Sequence, residues 1–252
     1  MRFCARFIAV LVMVLLPGIA AAGKKAAPPA DEPLFKRPEN VLQWINGYRQ
    51  HPEPDYLPQM VQSLGGLGLI RDLDQAGIYI GFAAGVLGSN SARVERLVAR
   101  MFPLPPEDQP VVIKAIAFSG LPEWKDVLTG VVERMPARKI LIEKYLYGDG
   151  KTLDALPLDE GGSFALDAHW GYYLATGSQI PVRFIVGALA WAGEKSDIEK
   201  LTIGSMAKWT LATNATRDLE LLRIMKAEVS TADGRVRPHL EEVILAAETF
   251  ET

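Results

Sequence analysis

The sequence predicts an all-α protein: stacked antiparallel helical hairpins forming an irregular α-solenoid, with a globular helical bundle as the alternative arrangement. Three observations carry that expectation. Apolar residues recur at i, i+3, i+4 and i+7 in segment after segment. No strand-like alternation bounded by hairpin turn signals occurs anywhere. Within Ala76–Met135, an apolar helix, a tight turn and an amphipathic helix are followed by the same succession again.

The chain opens with Met1–Ala22, which has the layout of a secretory signal. Arg2 and Arg6 form a basic start, Phe7–Leu16 is apolar, and Ala20-Ala21-Ala22 supplies small residues for cleavage before Gly23. That apolar run is too short to span a bilayer. The sole cysteine, Cys4, leaves with the signal, so the mature chain is expected to hold its shape by packing alone. Residues 23–38, rich in alanine, proline and charge, read as a disordered leader. The all-helical domain is expected over residues 39–252, with a possible subdomain break at 148–162.

Asn40–Tyr48 places Val41, Leu42, Trp44, Ile45 and Tyr48 on a short helix that His51-Pro52-Glu53-Pro54 ends. Tyr56–Leu64 forms the next and runs into Gly65-Gly66-Leu67-Gly68. Ala76–Gly88 is apolar throughout, and its Gly77, Gly81 and Gly85 at i, i+4 and i+8 make a ridge along which another helix can press closely. A membrane reading fails, because the run is much shorter than the roughly 20 residues a span needs. Ser89-Asn90-Ser91 offers side-chain acceptors to the next helix, Ala92–Met101, where Val94, Leu97, Val98 and Met101 alternate with Arg93, Glu95, Arg96 and Arg100. Pro110–Ser119 and Trp124–Met135 repeat the pair, and a partial third echo starts at Pro181. Further helices are expected from Pro136 on, then at Ser163–Thr176, Pro181–Ala192, Ser196–Ala212, Thr216–Val229 and Pro238–Phe250.

A shift of 34 residues lays Ala83 on Ala117, Leu87 on Leu121, Val98 on Val132, Arg100 on Arg134 and Met101 on Met135. The register resembles the irregular helical repeats, of HEAT or tetratricopeptide type, of secreted bacterial proteins without an assigned role. The signature residues of the tetratricopeptide repeat are absent. The resemblance implies hairpins that bury their apolar faces against their neighbours, and it implies no activity.

Candidate chemistry is sparse. His51, His169 and His239 lie far apart, with no HExxH pair, so no metal ligands and no cofactor are expected. Gly150-Lys151-Thr152 lacks the first glycine of a phosphate loop, and Asp149, Asp154 and Asp159 lack calcium-loop spacing. Ser205-Met206-Ala207-Lys208 matches SxxK, yet the companion motifs and the sheet of those enzymes are missing. No catalytic residue is assigned. The one candidate ligand site is His169, Trp170 and Tyr173, in the aromatic run Phe164–Tyr173. Asp167, two residues from His169, is on the wrong helix face to form a dyad with it.

Without Arg2 and Arg6 the chain has 25 basic and 30 acidic residues, a net charge near −5, which disfavours nucleic acid. About 230 mature residues can bury a sizeable core. The expectation is a non-catalytic helical scaffold or binding protein, periplasmic or secreted, without a membrane span in its mature chain, that engages a protein or peptide partner. The alternative is a small-ligand binder or enzyme whose site assembles around His169, with Lys208 or Trp209 nearby. A closed pocket where His169 meets a second ionisable group would favour the alternative. An open groove with His169 packed away from it would favour the scaffold.

Overall fold

A computed structural model describes residues 34–249. The expected signal and the leader up to Pro33 lie outside the described residues. Within them the chain is all-α. Twelve α-helices, linked by short 3₁₀ turns and loops, run in the order α1 (Pro38–Gly47), α2 (Leu57–Gly66), α3 (Gly77–Gly88), α4 (Val94–Arg100), α5 (Gln109–Ala117), α6 (Trp124–Thr129), α7 (Lys139–Tyr147), α8 (Leu158–Thr176), α9 (Gln179–Gly187), α10 (Ile198–Ala215), α11 (Leu219–Glu228) and α12 (Arg237–Thr249). No strand occurs among the described residues, and no helix is long and apolar enough to cross a membrane.

Local chemistry sets most boundaries. Pro38, Pro58 and Pro110 occupy first-turn positions of α1, α2 and α5, where a missing N–H removes no helical bond. Ser178, Asp197 and Asp218 cap α9, α10 and α11 by accepting from the amides of Ile180, Lys200 and Leu221. The expected cap at Asn90 does not form. A 3₁₀ turn, Ser91–Arg93, intervenes before α4, and the Asn90 amide donates back to Val86 O at 2.7 Å. The second hairpin also departs from the first. Its amphipathic helix α6 stops at Thr129, and Val132–Arg134 continues only as a 3₁₀ turn.

Helix α3 is the centre of the core: every residue from Gly77 to Leu87 is buried. Its most extensive contact is with α8, some eighty residues further on, and the second is with α5. A Cβ on Gly77 would sit 2.5 Å from Phe164 O, one on Gly81 would collide with the Ala168 carbonyl, and one on Gly85 would lie 2.7 Å from the Ala175 Cβ. The contacts advance together along both helices, so α3 and α8 run parallel. Gly171 of α8 answers the ridge, since a Cβ there would collide with the Ile78 carbonyl. Helix α8 contains one break, at Gly162 (φ 55°, ψ −143°), so its regular part starts at Ser163. Near the start of the described chain, Phe35 is buried although it falls in the stretch read as leader. It packs edge-on against Trp44 with ring centroids 5.2 Å apart, and Trp44 meets Tyr48 and Phe82 in the same way.

Candidate functional site

Helix α8 carries all three predicted site residues, and all three are buried: His169 is 2%, Trp170 4% and Tyr173 1% exposed. Two of them meet: the Trp170 and Tyr173 rings pack edge-on, with centroids 6.0 Å apart, while the polar atoms and rings of all three turn to different neighbours. His169 stacks flat on Phe184 of α9, with centroids 4.4 Å apart and 12° between planes. The indole N–H of Trp170 donates to Thr210 Oγ1 of α10 at 3.0 Å. The Tyr173 hydroxyl donates to Asp218 Oδ2 at 2.8 Å, ahead of α11. Lys208 and Trp209 do not join them: Lys208 pairs with Glu242 of α12, and Trp209 is 42% exposed. Lys208 therefore serves a helix–helix contact rather than Ser205.

The electrostatics follow from burial. Neither ring nitrogen of His169 has a hydrogen-bond partner among the described residues. Burial pushes its pKa down to about 4, against a weaker opposing pull from Asp154, so the imidazole is neutral at physiological pH. Asp167 goes the other way: burial pushes its carboxyl up to about 7. Burial, with Asp167 adding to it, holds the Tyr79 hydroxyl up at about 12.

A triangle of polar groups that the sequence did not reveal sits at the far end of α8. Arg49, in the loop after α1, pairs with Asp218 and donates from Nη1 to the Tyr173 hydroxyl at 3.1 Å. Its guanidinium lies 4.6 Å from the Tyr173 ring centroid. Asp218 also accepts from the Leu221 amide at 3.1 Å. One carboxylate thus ties three elements together while capping a helix. An aspartate just ahead of an apolar-periodic run is a cap the residues signal by themselves; its partners, 45 and 169 residues away, had no local signal.

Two grooves open to solvent, each of about 420 Å³. One is lined by Phe102, Pro103, Leu104 and Arg134. The other is lined by Pro157, Leu158, Asp159, Arg183, Phe184, Gly187 and Trp191. His169 lies behind Phe184 in the wall of this second groove. Ile180, Phe184, Gly187 and Trp191 recur at helical spacing, which by itself signals a core-facing stripe, so nothing local showed that this face stays open. That face was read only as an echo of the repeat. Ile180 is 58% exposed, and Ile198, near the Lys200 that lies over Trp191, is 82% exposed. Among the described residues no cluster of three or more His, Cys, Asp or Glu could hold a metal ion.

No family model matches the chain, and no curated protein and no solved structure is significantly similar to it.

Proposed function

We propose that this chain is an exported, non-catalytic binding protein, built like irregular helical repeats, that presents the α8–α9 groove to a protein or peptide partner. The observation that carries this reading is the relation between His169 and that groove. The surface is open and aromatic, whereas His169, around which the alternative site would assemble, is sealed behind Phe184 without a hydrogen-bonding partner among the described residues. A reactive histidine needs a proton partner within reach, and among the described residues none is there. Half-buried aromatics flanked by an arginine and an aspartate suit the anchor-and-rim pattern of peptide recognition. The signal-like Met1–Ala22 supports export.

Gly187 supplies the test. It is exposed in the groove and a side chain there meets nothing within 4 Å, so Gly187→Trp obstructs the surface without disturbing the core. Peptides selected from a random display library on the wild-type protein are expected to lose binding to Gly187→Trp and to keep it on His169→Leu. Ligands that ignore the groove variant but are lost with His169→Leu would sink the proposal. Mass spectrometry of the protein recovered from the periplasm or medium, with Gly23 as the expected first residue, tests export.

A further inference from the structure

The polar face formed by α4 and the 3₁₀ turn leading into it carries more positive charge than its place in the fold requires. Arg93, Arg96 and Arg100 are spaced i, i+3 and i+7, and all three reach the carboxylate of Asp55 in the 3₁₀ turn ahead of α2. Arg96 Nη2 and Arg100 Nη1 each lie 3.1 Å from Oδ1, and Arg93 Nη1 lies 3.6 Å from Oδ2. The side chains stay 42–59% exposed. Among the described residues neither Glu53 nor Glu95 forms an ion pair with these arginines. Three guanidinium groups on one carboxylate leave two surplus positive charges, in a chain whose formal net charge is −3. A fourth, Arg134, adjoins them: its Nη1 donates to Ala99 O at 3.1 Å, one residue from Arg100.

Exposed ion pairs contribute little to stability, and one arginine would tie Asp55 to α4. Three do something else. Each guanidinium offers five N–H donors in a planar fork, and the two oxygens of Asp55 leave most of them unused. Such forks fit phosphate oxygens, and a phosphoryl group carries about 1.5–2 negative charges at neutral pH, the size of the surplus here.

We propose that Arg93, Arg96 and Arg100, held in register by Asp55, form a binding site for a phosphoryl group, borne by a lipid headgroup or by a free phosphorylated solute. This site is separate from the α8–α9 groove and does not depend on the function proposed for it.

The test is an inorganic phosphate titration of the purified protein, followed through the arginine Nε–H resonances by NMR, against sodium chloride at matched ionic strength. Phosphate is expected to shift the three arginine signals saturably and chloride is not. The double variant R96Q/R100Q should weaken phosphate binding roughly tenfold or more. Asp55→Asn removes the competing carboxylate and should tighten it by roughly threefold. A carboxylate that served only to fasten the turn to α4 would give no such gain. Asp55→Ser, with a thermal melt of each variant, separates loss of the site from loss of the fold. Shifts that follow ionic strength alone, or an Asp55→Asn variant that binds no tighter than wild type, would overturn the proposal. Cosedimentation with vesicles containing phosphatidic acid, whose phosphomonoester carries the matching charge, but not with phosphatidylcholine alone, and its reversal by phosphate assign the site to a headgroup. Phosphate shifts without such cosedimentation assign it to a soluble ligand.

Discussion

His169 and Asp167 sit two residues apart on α8, and burial moves their ionisations past one another from opposite sides. His169 is lowered from 6.5 to about 4, so the folded state resists protonation that the unfolded chain accepts. Its contribution is present above pH 6.5 and is lost as pH falls toward about 4, a span worth on the order of 3 kcal/mol. Asp167 is raised from 3.8 to about 7, so the folded state keeps a proton that the unfolded chain has released. Its contribution is present below pH 3.8 and is lost as pH rises through about 7. Over the shared window the two slopes oppose each other. We predict that His169→Leu removes the rising slope and leaves stability declining from pH 4 to 7. Asp167→Asn should remove the decline and raise the melting temperature at pH 8. Urea unfolding from pH 4 to 8 checks both, and parallel profiles for the two variants would refute the account. At the other end of α8, Asp218→Ala should cost roughly 2–4 kcal/mol. A lost helix cap contributes about 1 kcal/mol, and the rest comes from leaving the Tyr173 hydroxyl and the Arg49 guanidinium without their acceptor. Asp218→Asn retains the capping oxygen and should lose about half as much, measured by the same unfolding curves.

At the scale of the helix, α3 shows how much a spacing pattern reveals and where it stops. Glycines at 77, 81 and 85 announce a close approach of two backbones, and that approach occurs. They do not name the partner. The answering stripe is Ala168, Gly171 and Ala175, small residues at i, i+3 and i+7 of α8, in a run where larger aromatic side chains draw attention to a pocket instead. In the fold His169, Trp170 and Tyr173 turn to α9, α10 and the start of α11, Phe164 and Tyr172 reach Phe118 and the Ser119 carbonyl at the end of α5, and the small face meets α3. Gly81→Ala gains about 1 kcal/mol of helix propensity but drives a methyl group into the Ala168 carbonyl, between two backbones that cannot yield separately. We expect a net loss of roughly 2 kcal/mol or more, a fall in melting temperature of about 4–8 °C for a chain of this size. Gly47→Ala is the control. It ends α1 where a Cβ meets nothing within 4 Å, and it should stabilise by about 0.5 kcal/mol through the unfolded state. Helix boundaries fell within a few residues of their expected places where proline or aspartate sits near them, though α1 already starts at Pro38 and Pro136 opens a 3₁₀ turn ahead of α7. They were read poorly at Trp124–Met135, where an apolar stripe continued past Thr129 but the helix did not.

For the molecule as a whole, the pairing of α3 with α8 decides how the two sides of residues 148–162 depend on each other. The composition of that stretch, rich in glycine and aspartate, reads as a possible joint between subdomains, and in the fold it holds no regular helix before Leu158. Yet the main core helix before the joint is covered by the long helix after it. Without α8, the glycine face of α3 would be stripped to solvent, in a helix whose residues 77–87 are otherwise wholly buried. Short-range patterns made the helices legible, because propensity and capping act over a few residues. A contact between elements some eighty residues apart has no such local signature, and a core helix covered from beyond the break couples the folding of the two sides. We therefore predict a single unfolding transition for the intact protein, with circular dichroism at 222 nm and tryptophan fluorescence superimposing. A fragment of residues 23–150 should show no cooperative melt on its own. Mixed with residues 151–252, it should recover helicity and a cooperative transition at equimolar ratio, because the second fragment returns α8 to α3. A cooperative melt of the first fragment alone would mean that its core closes without α8, and the glycine interlock would then be a docking contact between independent subdomains.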